Sequence, residues 1–274
     1  MNVRTPAIIG LLNLLLLTNC AGEKRQPRVP EPGKPALTVL TYNVNYGLAG
    51  DPPAVEAIRH ADADVVFLQE TTTEWEDALR STLAARYPNM AFRHCCGAGG
   101  LAVLSKVPFE ATEPIPPTEG GWFPAWRVIL QSSIGAIQVL NVHLRPAVSD
   151  SGSVVSGYFS TPPLRRAQIE KYYAHLDPSL PTLVVGDFNE GDGGKAITYL
   201  ESKGFRSALP EFDGNQDTWH WPTSIGTVHA QLDHIVYDDQ LEPLEVRVLE
   251  EGRSDHFPVW GVFQRKPTAP KAPR

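Results

Sequence analysis

Polar side chains that can bind a cation or carry a proton follow several strand-like runs of this sequence. The apolar run from Thr182 to Val185 predicts a strand buried on both faces, and Gly186 interrupts it. Asp187 and Asn189 follow, and a period of two places both side chains on one side of the backbone. A carboxylate and an amide at the end of one strand can then face a single ligand. Taken alone, such a pair is also typical of a turn.

Residues of the same chemical kind end other predicted strands. They are Asn43, Glu70, His143, Asp233 with His234, and Asp255 with His256. A charged residue that closes an apolar run, as Glu70 does, is costly to bury without a partner. A metal-binding carboxylate explains this placement, whereas the simpler alternative is a solvated residue at the start of a helix. An ordinary strand-end hydrogen bond is the corresponding alternative for Asn43.

The elements that position these residues are strands, most of them hydrophobic, with helices between several of them. Strands are predicted at 37–44, 64–68, 90–94, 101–105, 126–132, 134–144, 182–185, 231–237, 244–249 and 257–263. Helices are predicted from 52, from a cap at Thr72 or Thr73 to about 87, and at 164–176 and 193–203. The segment 145–163 has no apolar period and is predicted to be a functional or mobile loop. Hairpins and intervening helices together favour mixed sheets covered by helices.

Length and charge limit the possible functions. With 274 residues and 42% hydrophobic content, the chain can bury a sizeable core, and no internal repeat or change of composition divides it. The formal net charge of −7 argues against binding through a broad basic face, because affinity for a phosphate backbone comes largely from Lys and Arg. A single phosphate held through a cation remains possible. We predict one domain at 37–264, and a monomer.

The N-terminus has the features of an export signal. Arg4 precedes an apolar run at 7–17, which is too short to span a bilayer. The following Leu-Thr-Asn-Cys resembles the lipobox of bacterial lipoproteins, although Asn19 stands where a small residue is usual. Residues 1–20 are therefore predicted as a signal peptide with lipidation at Cys20, and simple secretory cleavage near Ala21 is the alternative. The protein is expected to be exported and held by its lipid on a bacterial membrane, in the periplasm or at the cell surface.

The segments that flank the domain are rich in proline and charge. Residues 21–36 have no apolar period and predict an extended tether, and residues 265–274 predict a disordered tail. Cys95 and Cys96 lack the spacing of a zinc site. We expect both to be buried small residues, with a disulfide between these neighbours as the alternative.

Six short motifs occur in order along residues 37–263. They are Thr-Tyr-Asn-Val at Asn43, Leu-Gln-Glu at Glu70, Asn-Val-His-Leu at His143, Gly-Asp-Phe-Asn at Asp187, Leu-Asp-His-Ile at Asp233 and Ser-Asp-His-Phe-Pro-Val at His256. Together they resemble the endonuclease/exonuclease/phosphatase superfamily. That superfamily includes pancreatic-type deoxyribonucleases, abasic-site endonucleases, bacterial sphingomyelinases and inositol polyphosphate 5-phosphatases. Each motif is weak by itself, but six in this order are a strong signal.

The resemblance implies a four-layer α/β/β/α sandwich of two packed mixed sheets, as in DNase I. It also implies hydrolysis of a phosphodiester or phosphomonoester with Mg²⁺ or Mn²⁺. A phosphodiester repels nucleophiles, so its hydrolysis needs a cation and donors for the developing charge, a base for the water and an acid for the leaving oxygen. The chain has no Gly-x-Ser-x-Gly nucleophile motif, which favours one-step in-line attack by water.

The resemblance also implies the roles of individual residues. Asn43, Glu70 and Asp255 match metal-binding positions, and His143, Asp187, Asn189, Asp233 and His256 match catalytic positions. In this scheme Asp233 fixes and polarises the ring of His256. Asp187 and Asn189 surround the phosphate, and His143 contacts the phosphate or the leaving group. Which of His256, Asp187 and His143 is the general base stays open.

The substrate is less determined than the chemistry. Arg145 lies near the His143 motif and Trp219 belongs to an aromatic cluster, so both are candidate substrate-binding residues, although Trp219 could equally be core. Nucleic acid, a phospholipid head group and a sugar phosphate all fit as substrates. An exported nuclease is the main alternative function, and an inactive binding module that has kept the fold is the second.

Overall fold

A computed structural model of the protein describes residues 24–212, 216–224 and 226–267. One six-stranded sheet contains, from edge to edge, β13 (Leu241–Val248), β14 (Val259–Arg265), β1 (Leu37–Asn43), β2 (Val65–Gln69), β4 (Leu101–Ser105) and β3 (Asn89–Arg93). The second contains β5 (Phe109–Ala111), β6 (Trp126–Ser132), β7 (Gly135–His143), β8 (Thr182–Asp187), β12 (Asp233–Tyr237) and β9 (Arg206–Ser207). A separate hairpin pairs β10 (Trp219–Thr223) with β11 (Gly226–Ala230).

Each sheet is mixed and has one parallel pair near its centre. β1 runs parallel to β2, and β7 runs parallel to β8, whereas the other neighbouring strands are antiparallel. The carboxyl ends of a parallel pair lie at the same edge of a sheet. This arrangement places Asn43 beside Gln69 in one sheet and His143 beside Asp187 in the other.

The alternation of side chains along the strands produces three apolar layers. In β2, Val65 and Phe67 point into the core between the sheets, while Val66 and Leu68 point to the outer layer. In β8, Val185 points to the central core and its neighbour Val184 to the opposite outer layer. Both strands are fully buried, which is why they read as continuous apolar runs.

Four of the six described α-helices cover the outer faces of the two sheets. The six are α1 (Pro52–Ala61), α2 (Thr73–Leu83), α3 (Val154–Ser160), α4 (Pro162–Tyr173), α5 (Lys195–Glu201) and α6 (Leu209–Phe212). Buried residues of α1 and α2 pack on the first sheet, and those of α4 and α5 pack on the second, whereas α3 buries only Gly157 and Leu209 of α6 packs in the central core. The predicted four-layer sandwich is therefore confirmed. Of the two candidate cap residues, Thr72 and Thr73, it is Thr72 that caps α2, by accepting a hydrogen bond from the Trp75 amide.

Two local predictions are wrong. Cys95 and Cys96 are exposed free thiols instead of buried residues, with their sulfur atoms 2.8 Å apart, because they lie on the loop that leads into β4. The segment 145–163 contains α3, which the absence of an apolar period concealed. That helix buries only Gly157, so it has no apolar stripe of the usual kind.

Three predictions about the chain ends concern residues that lie wholly or partly outside the described ranges. They are the signal peptide with Cys20, part of the tether and most of the tail, and all three stay predictions. The described part of the tether, 24–36, contains neither helix nor strand, and Arg28 donates to Glu242. Among the helices in the described ranges, none has the length and apolarity needed to cross a membrane.

Candidate active site

The ends of the central strands meet at one edge of the sandwich and line a cavity of about 1440 Å³. Seven of the residues selected from the sequence line it: Glu70, His143, Asp187, Asn189, Trp219, Asp255 and His256. Asn43 and Asp233 lie just behind these residues, where Asn43 is hydrogen-bonded to Glu70 and Asp187, and Asp233 to His256. We call Asn43, Glu70, His143, Asp187, Asp233 and His256 the floor of the cavity.

His256 and Asp233 form an imidazole–carboxylate pair. Nδ1 of His256 lies 2.7 Å from Oδ2 of Asp233, and both side chains are buried. A proton on Nδ1 is held by this carboxylate, so Nε2 is the nitrogen that is left for chemistry, 3.7 Å from Oδ2 of Asp187. Asp233 reaches this position because β12 pairs antiparallel with β8, in a register that places Asp233 opposite Asp187.

The surroundings of His256 favour its charged form. Burial by itself would lower the pKa of the imidazole, but the carboxylates of Asp233 and Asp187 more than offset it and raise the pKa to about 10. The ring is therefore an imidazolium at neutral pH. It can stabilise negative charge or donate a proton from Nε2.

The surroundings of Asp187 favour its neutral form, whereas those of His256 favour its charged form. Its burial raises the pKa, the positive His256 lowers it, and the negative Asp233 raises it again, with a net increase. Oδ1 accepts a hydrogen bond from the Asn189 amide at 2.8 Å, and Oδ2 accepts one from the Asn43 side chain at 3.1 Å. A buried carboxylate with a raised pKa is a better proton acceptor than an exposed one.

His143 is held by a contact that sequence reasoning does not reveal. Its Nδ1 donates to the carbonyl oxygen of Ala98 at 3.1 Å, and its ring packs on Phe123. Nε2 then faces two carboxylates, at 3.4 Å from Oδ2 of Asp187 and 3.9 Å from Oε1 of Glu70. The loop 94–100 therefore fixes which ring nitrogen points into the cavity.

Asn43 and Glu70 close the other side of the floor. The Asn43 side chain donates to Oε1 of Glu70 at 3.0 Å as well as to Asp187, so it links a carboxylate from each sheet. The second oxygen of Glu70 accepts from the Tyr46 amide at 3.1 Å. With one hydrogen bond on each oxygen, Glu70 retains lone pairs that face the cavity.

Asp255 lies between the floor and the β10–β11 hairpin. One of its oxygens accepts from the Asn45 side chain at 2.9 Å, and the other accepts from the indole of Trp219 at 3.1 Å. The Trp219 ring is also stacked beside Trp221, with ring centroids 6.2 Å apart. Trp219 is therefore placed at the cavity wall, where it both orients Asp255 and offers an aromatic surface.

Two of the predicted contact residues face other protein groups. The Asn189 side chain donates to the carbonyl of Leu144 at 3.1 Å, although the residue itself lines the cavity. Arg145 is almost fully buried: its guanidinium stacks on Trp122 and donates to Asp150 and to the carbonyls of Gly120 and Val148. Its placement favours a role in holding the 145–150 loop over direct contact with a substrate.

Backbone strain is concentrated at this site. Four described residues other than glycine have a positive φ, and three of them are Asn45, Glu70 and Asn189. Asparagine tolerates this region, but for glutamate it is costly. The strain at Glu70 turns its carboxylate into the cavity immediately after β2 ends, which is the kind of position where strained backbone accompanies function.

The donor set fits a hard divalent cation. Among the described residues, Asp187, Asp233 and His256 have nitrogen or carboxylate oxygen atoms within 4.8 Å of one another, and the carboxylate oxygens are the ones that can bind a cation while His256 is protonated. Oδ1 of Asp233 is buried without a hydrogen-bond partner, which makes it an available oxygen. Glu70 adds a carboxylate from the other sheet. Oxygen ligands of this type suit Mg²⁺ or Mn²⁺.

Sequence reasoning missed three supporting residues. The hydroxyl of Thr218 donates to Oδ2 of Asp233 at 2.7 Å and accepts from the amides of Leu232 and Asp233. Asn45 supports Asp255, and its place two residues after Asn43 is the signal that could have identified it. Glu190 is buried in an ion pair with Arg165 at 2.8 Å and lines the cavity directly after Asn189.

Comparisons with known proteins agree with this fold. A sequence profile of the Endonuclease/Exonuclease/phosphatase family matches residues 40–256, whereas no curated protein matches the chain. A functionally unknown conserved protein from Enterococcus faecalis V583 has a similar structure, with a TM-score of 0.65 and 18% identity over 84% of this chain and 100% of that one. An endonuclease/exonuclease/phosphatase from Beutenbergia cavernae DSM 12333 has a TM-score of 0.62 and 17% identity, over 84% and 72%.

The human Nocturnin catalytic domain, solved with a bound sulfate anion, is similar over 85% of this chain and 96% of its own. Its TM-score is 0.61 and its sequence identity is 16%. Similarities at these identities show the fold alone.

Proposed function

This chain belongs to the endonuclease/exonuclease/phosphatase family, and from that premise we propose that it is a Mg²⁺- or Mn²⁺-dependent hydrolase of phosphoester bonds. The observation that carries the proposal is the convergence of the His256–Asp233 pair and Asp187 on one cavity that Glu70 also lines. Glu70, with Asp187, Asp233 and Asp255 nearby, would hold the cation. When bound, the cation supplies a Lewis acid that neutralises charge on the phosphate.

The remaining steps use groups of this chain. Water attacks phosphorus in line with the leaving oxygen, the new O–P bond forms as the old one breaks, and Asp187 accepts the proton of the water. His256 is charged at neutral pH, so Nε2 stabilises the phosphate and donates a proton to the leaving oxygen. His143, whose Nε2 faces the same region, contacts the phosphate or the leaving group.

A panel of substrates tests this function. The full chain would be assayed with Mg²⁺, Mn²⁺ or EDTA on bis-nitrophenyl phosphate, plasmid, single-stranded DNA, sphingomyelin and an inositol phosphate. We expect turnover that EDTA abolishes and that His256→Ala removes. Mn²⁺ binding by calorimetry without turnover of any substrate would contradict the proposal and leave an inactive binding module.

One-step attack by water has its own test. A substrate that is chiral at phosphorus, hydrolysed in ¹⁸O-labelled water, is expected to give a product of inverted configuration, because one in-line displacement inverts phosphorus once whereas two restore it. A phosphorylated protein trapped with labelled substrate would overturn the one-step mechanism while leaving the metal-dependent activity intact.

We further propose that the protein is exported and anchored by a lipid on Cys20. The support is the apolar run at 7–17 followed by Leu-Thr-Asn-Cys. Labelling of a bacterial host with radioactive palmitate tests the attachment, since wild type should incorporate label and Cys20→Ser should not. Unlabelled wild type in the culture medium would instead support simple secretory cleavage.

A further inference from the structure

Exposed apolar side chains are concentrated around the mouth of the cavity. Nine large apolar side chains of the described residues are exposed, and six of them line the cavity: Trp122, Val154, Tyr158, Phe159, Trp221 and Val228. Tyr158 is 66% exposed, Phe159 76% and Trp221 51%. Exposed apolar side chains that are gathered at one place on a protein surface often mark a site where a partner binds. We call these six residues the rim.

The rim is built from ordered elements. In α3, the Ser153 side chain caps the first turn, and Gly157 faces the loop 145–150 so closely that a Cβ there would lie 2.5 Å from the carbonyl oxygen of Ala147. This contact fixes the helix with its apolar side chains outward. On the other side, Trp219 of the hairpin is attached to Asp255 and stacked on Trp221.

We propose that the rim is a membrane-docking surface, which seats the cavity on a bilayer of zwitterionic phospholipid so that a lipid head group enters it. The hydrolysis of that head group rests on the function proposed above, whereas the docking does not. Aromatic side chains are favoured at the boundary between water and hydrocarbon, where their rings leave water while polar atoms stay hydrated.

The charge of the rim selects a bilayer over nucleic acid. The segments Val154–Ser160 and 219–230 contain no Lys, Arg, Asp or Glu. Proteins bind nucleic acid through cationic side chains, which contact phosphates, and through aromatic rings, which stack on bases. Val154 and Val228 can make neither kind of contact. Uncharged segments can enter the interface of a bilayer without the cost of desolvating a charge.

The charge of the cavity selects the kind of head group. Its wall adds the carboxylates of Glu190 and Asp192 to those of the floor. Besides the His256 ring in the floor, the cationic side chains that line it are Arg165, which is already paired with Glu190, and Lys195. Such a wall disfavours a purely anionic head group but suits one that joins a phosphate to an amine or quaternary ammonium. The ring faces of Trp219 and Trp221 offer a cation–π surface for that group.

The sequence places a second membrane element in front of the domain. The apolar run at 7–17 and Cys20 precede the described residues, and 24–36 connects them to β1. The predicted anchor would hold the domain close to the same bilayer. A second copy of the chain on the rim, by contrast, would block the mouth through which substrate enters.

The test compares three proteins that begin at Ala21, after the predicted signal peptide, so that neither the apolar run at 7–17 nor an acyl group on Cys20 can bind the vesicles. One is otherwise wild type, one adds Phe159→Ser and Trp221→Ser, and the matched control adds Val29→Ser, an exposed apolar residue away from the cavity. Co-sedimentation with phosphatidylcholine and phosphatidylglycerol vesicles measures docking. Turnover of vesicle phosphatidylcholine and of bis-nitrophenyl phosphate measures the reaction.

We expect the double substitution to lower the partition onto phosphatidylcholine vesicles at least about tenfold, since two aromatic side chains leave the interface. The ratio of vesicle turnover to soluble turnover should fall with it, and Val29→Ser should change neither. Stronger docking on phosphatidylglycerol than on phosphatidylcholine would overturn the zwitterionic assignment.

An unchanged vesicle partition in the double variant would overturn the docking surface. The docking surface would also be overturned if the double variant lost binding to single-stranded DNA instead of binding to vesicles. A wild-type dimer in sedimentation that the two substitutions dissociate would overturn it as well. Absence of turnover on both substrates, with vesicle docking still lost in the double variant, would overturn the proposed hydrolysis alone.

Discussion

The floor and the rim of the cavity depart from the usual distribution of residues in opposite ways. The floor buries carboxylates and imidazoles, which are normally exposed, whereas the rim exposes aromatic and aliphatic side chains, which are normally buried. The floor compensates by internal pairing, because nearly every ionisable group there faces another one. Within the described part of the chain the rim stays exposed, which is the reason why we propose a partner outside the chain for it. Substitutions should therefore affect the two regions differently.

The largest effect is expected at the centre of the floor. His256→Ala removes the group that carries positive charge beside Asp187, and turnover should fall about 10³- to 10⁴-fold. Steady-state kinetics on the best substrate would measure kcat, with thermal unfolding as a check on the fold. His60→Ala, on the exposed surface, is the matched control. A loss below tenfold would show that His256 has a structural role only.

A smaller effect is expected where the floor would meet the cation. Glu70→Gln keeps the shape but removes the charge, so the affinity for Mn²⁺ should fall at least about tenfold, and activity should recover partly at high Mg²⁺. Calorimetric titration with Mn²⁺ measures this without an assay of turnover. Glu170→Gln, more than half exposed, is the control. Equal Mn²⁺ affinity in Glu70→Gln and wild type would remove Glu70 from the metal site.

Behind the floor, Thr218→Val should lower kcat about tenfold. It removes the hydroxyl that donates to Asp233 and leaves the Leu232 and Asp233 amides without that acceptor, so the free energy of unfolding should fall by about 1–3 kcal/mol. Thr218→Ser restores the hydroxyl and should restore both quantities. If the serine variant is as slow as the valine variant, the hydroxyl does not orient Asp233.

The floor should also make stability depend on pH. The folded-state pKa of His256 is raised to about 10, above its ordinary value of 6.5, so its stabilising contribution is complete below about pH 6.5 and is lost as pH rises through 10. In EDTA, the Tm advantage of wild type over His256→Gln should shrink between pH 7 and 10. The same comparison with exposed His60→Gln should stay flat. A constant advantage across that range would contradict the raised pKa.

The smallest effect is expected at the rim. Tyr158→Ser should change the free energy of unfolding by no more than about 0.5 kcal/mol, because the side chain is already in water. Chemical denaturation measures this, and Trp75→Ser in the apolar layer under α2 provides the contrast, with a large loss expected. Destabilisation by Tyr158→Ser comparable to that of a core substitution would show that the rim is part of the fold's own packing.

Much of the fold could be predicted from local pattern. Buried strands such as β2 and β8 read as continuous apolar runs, and the residues at their ends are the floor residues of the cavity. A cap at Thr72 or Thr73 could also be predicted from local sequence, because a helix cap depends only on the three residues that follow it. The helix α3 could not be found this way, because Gly157 is its only buried residue and the helix therefore has no apolar stripe that a sequence pattern could show.

The sequence by itself determined the kinds of group at the site, their order along the chain and the strands that carry them. The tertiary structure decided how these groups are paired. Asn43 meets Asp187 across 144 residues, His143 is oriented by Ala98, and Arg145 faces Asp150 instead of the cavity. It also decided that the rim is exposed. Such outcomes depend on which distant strands and loops become neighbours, and the pattern within one segment carries no information about the register between two of them.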